Sequence, residues 1–310
     1  MRSKFKFWLI NTIIIILILM TWEFLISNQD NVNSINNAID QSIGYNPEIK
    51  AFSPYILPRP SQILNAFLNE RSGGRGGVKF FFNQGSVTLT TALIGFVFGN
   101  IFAFLIAILF FYVKPMERTF MPFALALKSI PLVAIIPLFL RLRYSVADLP
   151  AVQESSLLNF IFGTDLFIKT VIVVIAVFFP TLVNTFRGIQ SASKPSLEFM
   201  ESINATKWLT FWKLRLPSAL PMIFSALKIT AILAVGGAIL SEWLSTNNGL
   251  GYIMAAATSS GMYNVYELWV SLFITSIFAF GLYSFVTLME RLSIPWHESV
   301  IALKQAMGDE

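Results

Sequence analysis

The chain contains no cysteine and a single histidine, His297. These absences exclude a disulfide framework, a thiolate metal site, a cysteine nucleophile and any cluster of histidine ligands. No GxxxxGK[ST] run occurs, so the chain carries no P-loop with which to bind and hydrolyse ATP. The one glycine-rich stretch, Arg71-Ser72-Gly73-Gly74-Arg75-Gly76-Gly77, follows no strand pattern and reads as a flexible hinge. Charge is also scarce: Asp, Glu, Lys and Arg make up 13% of 310 residues, about half the share usual in a soluble domain. What is abundant is apolar surface, with 55% hydrophobic residues, 30 of them Phe, and a mean hydropathy of +0.67. A bilayer accommodates such a chain in helices of ~20 apolar residues, because each helix satisfies its own backbone groups. The expected fold class is therefore all-α, a polytopic membrane helical bundle.

Apolar runs mark about six transmembrane helices, at Phe7 to Ile26, Val87 to Tyr112, Phe120 to Leu140, Phe167 to Thr185, Met222 to Leu244 and Leu268 to Met289. The first run is long and lacks a small-residue cleavage site, so it reads as an uncleaved anchor. Lys and Arg place the loops. Arg2, Lys4 and Lys6 precede the first run, Lys114 and Arg118 separate the second from the third, and Arg187, Lys194, Lys207, Lys213 and Arg215 separate the fourth from the fifth. All three segments are expected in the cytoplasm, with both termini on that side. The net charge of +5 is then an orientation signal and not a nucleic-acid surface. The expected organisation is an anchor over 1–27, an external segment over 28–85, a five-span core over 86–290 and a cytoplasmic tail over 291–310.

In the external segment, Ser61 is expected to cap a short amphipathic helix ending at Leu68. A second structured segment, 186–221, lies between the fourth and fifth runs. Pro195 suits the first turn of a helix, Glu198 is placed to complement its N-terminus, and Leu197, Phe199, Met200 and Ile203 give it an apolar surface. Asn204 ends that helix in a left-handed conformation, Thr206 caps a second helix over Lys207 to Leu214, and Pro217 and Pro221 precede the fifth span. From periodicity alone, this unit either rests on lipid headgroups or receives a docking partner.

The spacing Glu198, Asn204, Leu214 and Leu216-Pro217 resembles the EAA loop of bacterial ABC-importer permeases. Leu57-Pro58-Arg59-Pro60, Ser129-Ile130-Pro131, Phe178-Phe179-Pro180 with Asn184, and Glu242 followed by Gly249-Leu250-Gly251 resemble the nitrate, sulfonate, taurine and bicarbonate branch of those permeases. The resemblance implies a type I importer fold. It also implies that Glu198, Phe199, Met200, Glu201, Ile203, Asn204 and Ala205 form a coupling helix and turn seated on a cytoplasmic ABC ATPase, which binds ATP and magnesium in this chain's stead. A second permease subunit, here most simply a second copy, and a periplasmic or lipid-anchored solute-binding protein complete the implied assembly in the inner membrane. Phe199 and Met200 stand where the family pattern has alanine, and Asn204 where it has glycine. The stretch Arg141 to Gly163 is longer than usual for the branch and reads as external and polar.

A transport path needs polar groups, and ionisable residues within spans usually face partners or water. Lys128, Ser129, Pro131, Asn184 and Glu242 are the expected lining residues, with Asn100, Thr230 and Ser241 as weaker candidates that equally well hold helices together. Lys128 has the stem to snorkel, and Glu242 either lines a gate or sits in water at the interface. Pro131 and Pro137 are expected to break or kink the third span. The chain itself is expected to have no catalytic residue, and the implied cargo is a small anion such as nitrate, a sulfonate or bicarbonate. An ATP-independent channel or secondary transporter, or a non-transporting scaffold subunit, is the alternative.

Overall fold

A computed structural model of the chain describes residues 14, 16–24, 58–71, 75–147, 149–155, 165–245, 248–259 and 265–295. They form two compact units, Met1–Gln84 with Ile253–Ile274 and Gly85–Tyr252 with Thr275–Glu310. Among the described residues, four helices are long and apolar enough to cross a bilayer, or five if a bent helix pair is one span. Of the expected first span, residues 16–24 are helical and the remainder falls outside the described residues, apart from residue 14.

In the first unit, α1 covers Pro60–Leu68. Arg59, not Ser61, occupies the cap position, and its backbone N–H donates to Gln62 Oε1 at 3.0 Å. Pro60 explains the shift, since a ring with no N–H fits the first helical position. Ser61 turns instead to Glu23, whose carboxylate accepts from its backbone N–H at 3.1 Å and its hydroxyl at 2.8 Å. The flanks of the expected hinge pair with each other: β1, Glu70–Arg71, lies antiparallel to β2, Arg75–Gly76. Residues 72–74 lie outside the described set.

The long helix α2 runs from Val78 to Tyr112, so it begins a little over two turns before the apolar run does. The third span is broken into α3, Lys114–Lys128, and α4, Leu132–Ala147, bent by 98°. Pro131 accounts for the break, because it donates no hydrogen bond and drives Ile130 out of helical geometry. Pro137 lies inside α4, which continues past it. Helix α4 also continues through Arg141 to Ala147, and α5 occupies Pro150–Glu154, so the stretch after Leu140 begins as helix. Residues 156–164 of that stretch lie outside the described set.

Helix α6, Asp165–Gln190, is followed by α7, Lys194–Ser202, and α8, Lys207–Thr210. A π-helical turn, Phe211–Arg215, joins α8 directly to α9, Leu216–Ser245. The expected separate helix over Lys207 to Leu214 is thus the first part of one continuous helix, and Pro217 does not break it. The wide turn supplies the reason. It shifts the carbonyls that Pro217 would otherwise strike, with Leu216 N–H reaching back to Phe211 O and Ser218 Oγ donating to Leu214 O at 2.8 Å. A short apolar helix that the sequence reading did not anticipate, α10, covers Leu250–Ser259, and α11 covers Val265–Ser293, ending inside the expected tail.

The core of the second unit is the α6–α9 pair, the most extensive helix contact. Small residues bring the backbones together. Gly95 and Gly99 of α2 face Val173, Val174 and Val177 of α6, where a Cβ on Gly99 would come within 3.1 Å of Val177 Cγ1. Ala231, Ala234 and Ala238 of α9 are fully buried beside Val173 and Val177. This is the small-residue packing of membrane helices, which associate by close fit because lipid gives them no hydrophobic drive to meet.

Candidate functional site

The segment between α6 and α9 is built from capped, tightly turned pieces. Ser193 Oγ accepts from Ser196 N–H at 3.3 Å and starts α7, with Pro195 in its first turn. Glu198 lies beyond that first turn, so it does not complement the N-terminus as expected. Asn204 has φ 56°, the only positive φ outside glycine among the described residues. Its N–H donates to Glu201 O at 2.9 Å while Ala205 N–H donates to Met200 O at 3.0 Å, which closes the helix end. Thr206 Oγ1 then accepts from Leu209 N–H at 3.2 Å and starts α8.

No residue of α7 is buried. Phe199 is 63% and Ile203 53% exposed, while Glu198, Glu201 and Asn204 are open to solvent around them. The π turn that follows is packed against the bundle. Phe211 is buried against Phe111 and Tyr112, with ring centroids at 6.4 and 5.8 Å. Arg215 stacks its guanidinium 4.8 Å from the Phe111 centroid and donates from Nη1 to Ile189 O at 3.2 Å. These contacts tie the start of the continuous helix to the ends of α2 and α6.

The elbow of the broken span presents Ser129 and Pro131 to the exterior of the chain. The backbone of Lys128 ends α3, and its side chain lies outside the described set. Beside the elbow is a hollow of about 490 Å³, lined by apolar side chains that include Leu127, Ile130, Phe139, Phe178 and Leu233. Asn184 sits apart from it and donates from Nδ2 to Pro180 O at 2.8 Å within its own helix.

Glu242 occupies neither expected position: it is wholly buried. Its Oε2 accepts from Thr88 Oγ1 at 2.8 Å and from Gly251 N–H at 3.0 Å, and Thr88 Oγ1 accepts in turn from Leu250 N–H at 2.9 Å. Buried Lys169 attracts Glu242 electrostatically and donates to Asn248 Oδ1 at 2.7 Å. The spacing of Glu242 and Gly249-Leu250-Gly251 thus has a local cause. A side chain on either glycine would run into Glu242 or, at Gly251, into the Ile239 backbone, and Gly249 also holds φ +99°. Deeper in the bundle, Asn100 Oδ1 accepts from Thr181 Oγ1 at 2.6 Å and from Thr230 Oγ1 at 3.3 Å, tying α2, α6 and α9.

Reading the sequence for pathway residues missed Lys169, Lys228 and Glu290. Lys228 Nζ lies 2.9 Å from Glu290 Oε2 and joins α9 to α11. A charged residue inside an apolar run was the available signal for the two lysines. Glu290 gave none, because it falls one residue past the end of its run.

The family described as "Binding-protein-dependent transport system inner membrane component" matches residues 87–294. The formylaminopyrimidine transport permease protein ThiX of Halalkalibacterium halodurans is 28% identical over 79% of this chain and 87% of its own length. The putative aliphatic sulfonates transport permease protein SsuC of Bacillus subtilis is 25% identical over 80% of each chain. Among solved structures, an inward-facing form of the MetNI methionine ABC transporter shares the fold, with a TM-score of 0.58 at 18% identity, covering 69% of this chain and 96% of that one.

Proposed function

The chain belongs to the binding-protein-dependent transport inner membrane components, and from that membership we propose how this ABC importer permease is driven and what completes it. A cytoplasmic ATPase holds ATP and magnesium and seats α7 in a socket, with Phe199, Met200 and Ile203 as the apolar knobs, Glu198 and Glu201 as polar flanks, and the turn at Asn204 and Ala205 setting the angle. Two copies of the permease enclose the path, a solute-binding protein delivers cargo from outside, and both termini face the cytoplasm. Closure of the ATPase pair then becomes rigid-body movement of the bundles, without chemistry in this subunit. One observation carries this reading: a capped helix with no buried residue and with Phe199 exposed is followed by a π turn packed on the bundle through Phe211 and Arg215.

Ser129 and Pro131 at the elbow, with Lys128 before them, are assigned to the wall of the path. Glu242 is assigned to holding the 248–251 turn, and Asn184 to its own helix. The proposed cargo is a small anion of the sulfonate or nitrate class, which SsuC exemplifies by name. A second reading, an aromatic heterocycle such as the formylaminopyrimidine named for ThiX, is favoured by the apolar lining of the hollow at the elbow. Purification of the chain from native membranes, with identification of the P-loop ATPase that remains bound, tests the coupling. The Phe199→Ala variant is expected to lose that ATPase, and its retention at the wild-type level overturns the assignment of α7. Competition for uptake between taurine and a hydroxymethylpyrimidine decides between the two cargo classes.

A further inference from the structure

We infer that the Lys228–Glu290 pair locks α11 to α9, so that the two helices move as one body when the ATPase closes; this rests on the reading of α7 given above. Lys228 lies in the first half of α9 and Glu290 in the last turn of α11. The ammonium meets both carboxylate oxygens, at 3.1 Å for Oε1 and 2.9 Å for Oε2. The side chain of Glu290 is 8% and that of Lys228 23% exposed, so the pair is held largely inside the second unit. Ionisable groups within spans are kept there for a function more often than for stability.

A pair in such surroundings adds little net stability, because taking both charges out of water costs about as much as their attraction returns. What it fixes is position, and the spans differ in how much they need that. Helices α2 and α9 press closely on α6 through Gly95, Gly99 and Gly237, and Asn100 bridges all three. Among the described residues, α11 is fitted less closely. Gly281, in its middle, has nothing within 4 Å of the place a Cβ would take. Only 11% of its apolar window is buried, against 44% in α6 and in the span that contains α9. Its hold on the second unit is the stripe of Leu282, Val286 and the following Ile294, which join the cluster that includes Phe224 and Ala231. Apolar ridges of this kind choose the face that meets a partner but tolerate a shift of one turn, the step that moving helix interfaces make. A slip of about 5.4 Å would pull the Lys228 ammonium from the Glu290 carboxylate and leave two charges unpaired in apolar surroundings, which is far costlier. The pair thus sets the height and rotation of α11 on the helix that continues from α7 through the Thr206 cap and the π turn.

The test uses the full-length chain in nanodiscs with its copurified P-loop ATPase. Because the chain has no cysteine, Ile229→Cys and Leu292→Cys, at exposed positions of α9 and α11, carry two spin labels without background. The distance between them is read without nucleotide and after trapping with ATP and vanadate. With the ion pair intact, the two states are expected to differ by less than half a helical turn, about 3 Å. Lys228→Met with Glu290→Leu replaces the pair by apolar side chains, which leaves folding intact. That variant is expected to melt near the wild type and retain the ATPase, while trapping broadens the distance or shifts it by about one turn, ~5 Å. Lys228→Arg, which keeps the charge pair, is expected to behave as the wild type. A one-turn shift with the pair intact overturns the lock, and so does an apolar variant that shows no more movement than the wild type. An apolar variant that melts far below the wild type makes the pair a stability element only and also overturns it. In each of these cases the coupling reading stands so long as Phe199→Ala releases the ATPase. If the wild type retains no ATPase, both readings fall.

Discussion

The two ends of the helix that runs from Lys207 to Ser245 have opposite relations to their surroundings. At one end a carboxylate, Glu242, is wholly buried, with Oε2 accepting from Thr88 Oγ1 and Gly251 N–H. At the other, large apolar side chains stand exposed at Trp208 and Trp212. A buried polar group held by donors of its own chain is anchored within that chain, and its removal is felt as instability. An exposed apolar group with nothing over it is incomplete, and its removal is felt only when the partner is present. The same helix thus has one end held by its own chain and one end left open, and substitutions at the two should separate the two readouts.

Glu242→Ala is the strongest way to break the structural end. It removes the acceptor of the Thr88 hydroxyl and the Gly251 N–H and the negative charge that attracts Lys169, and breaking such a buried cluster costs about 3–5 kcal/mol. The expected outcome is a large fall in melting temperature in detergent, with Glu242→Gln much milder because the amide oxygen still accepts. Gly251→Val comes next, at about 3 kcal/mol, because the new side chain meets the Ile239 backbone and Glu242 Cβ together. Normal melting of this variant would mean that the turn is not held as tightly as its contacts imply. Asn100→Leu removes the acceptor shared by Thr181 and Thr230. Interhelical bonds of this kind in membrane proteins contribute about 1 kcal/mol, so a small but measurable drop is expected.

Much of this was legible in the residues. Ser193-Lys194-Pro195, Asn204 and Thr206 are local signals whose physics is complete within a few residues, and the helix, left-handed turn and second cap form where those signals lie. The Pro131 break was legible for the same reason. Pro217 was misread because the same residue type breaks a helix or is absorbed by it according to what the preceding turn does, and the π turn at Phe211–Arg215 has no signature of its own. Helix α10 escaped notice because ten residues are too few for an apolar run that spans, and its start depends on Glu242 and Thr88 reaching it from elsewhere in the chain. Glu242 was expected at a gate or in water and lies buried instead. Sequence shows that a carboxylate in a span needs a partner, but not whether the partner is water, cargo or a backbone N–H.

The smallest effect is expected at Asn204, and it sharpens the comparison most finely. The residue holds φ 56° at the end of α7 where related sequences are expected to place glycine. Asparagine adopts this conformation with little penalty, so Asn204→Gly should change stability by no more than about 0.5 kcal/mol and leave ATPase retention intact. Asn204→Val keeps a similar size but clashes in the left-handed region, at a local penalty of about 1–2 kcal/mol. The turn lies outside the packed core, so that strain is relieved by opening the end of α7 rather than by unfolding the bundle. Melting should stay near wild type while Phe199 and Ile203 lose their fixed angle and ATPase retention falls. If valine instead lowers the melting temperature as much as Asn100→Leu does, the turn belongs to the structural end of the comparison and α7 is not an independent lever.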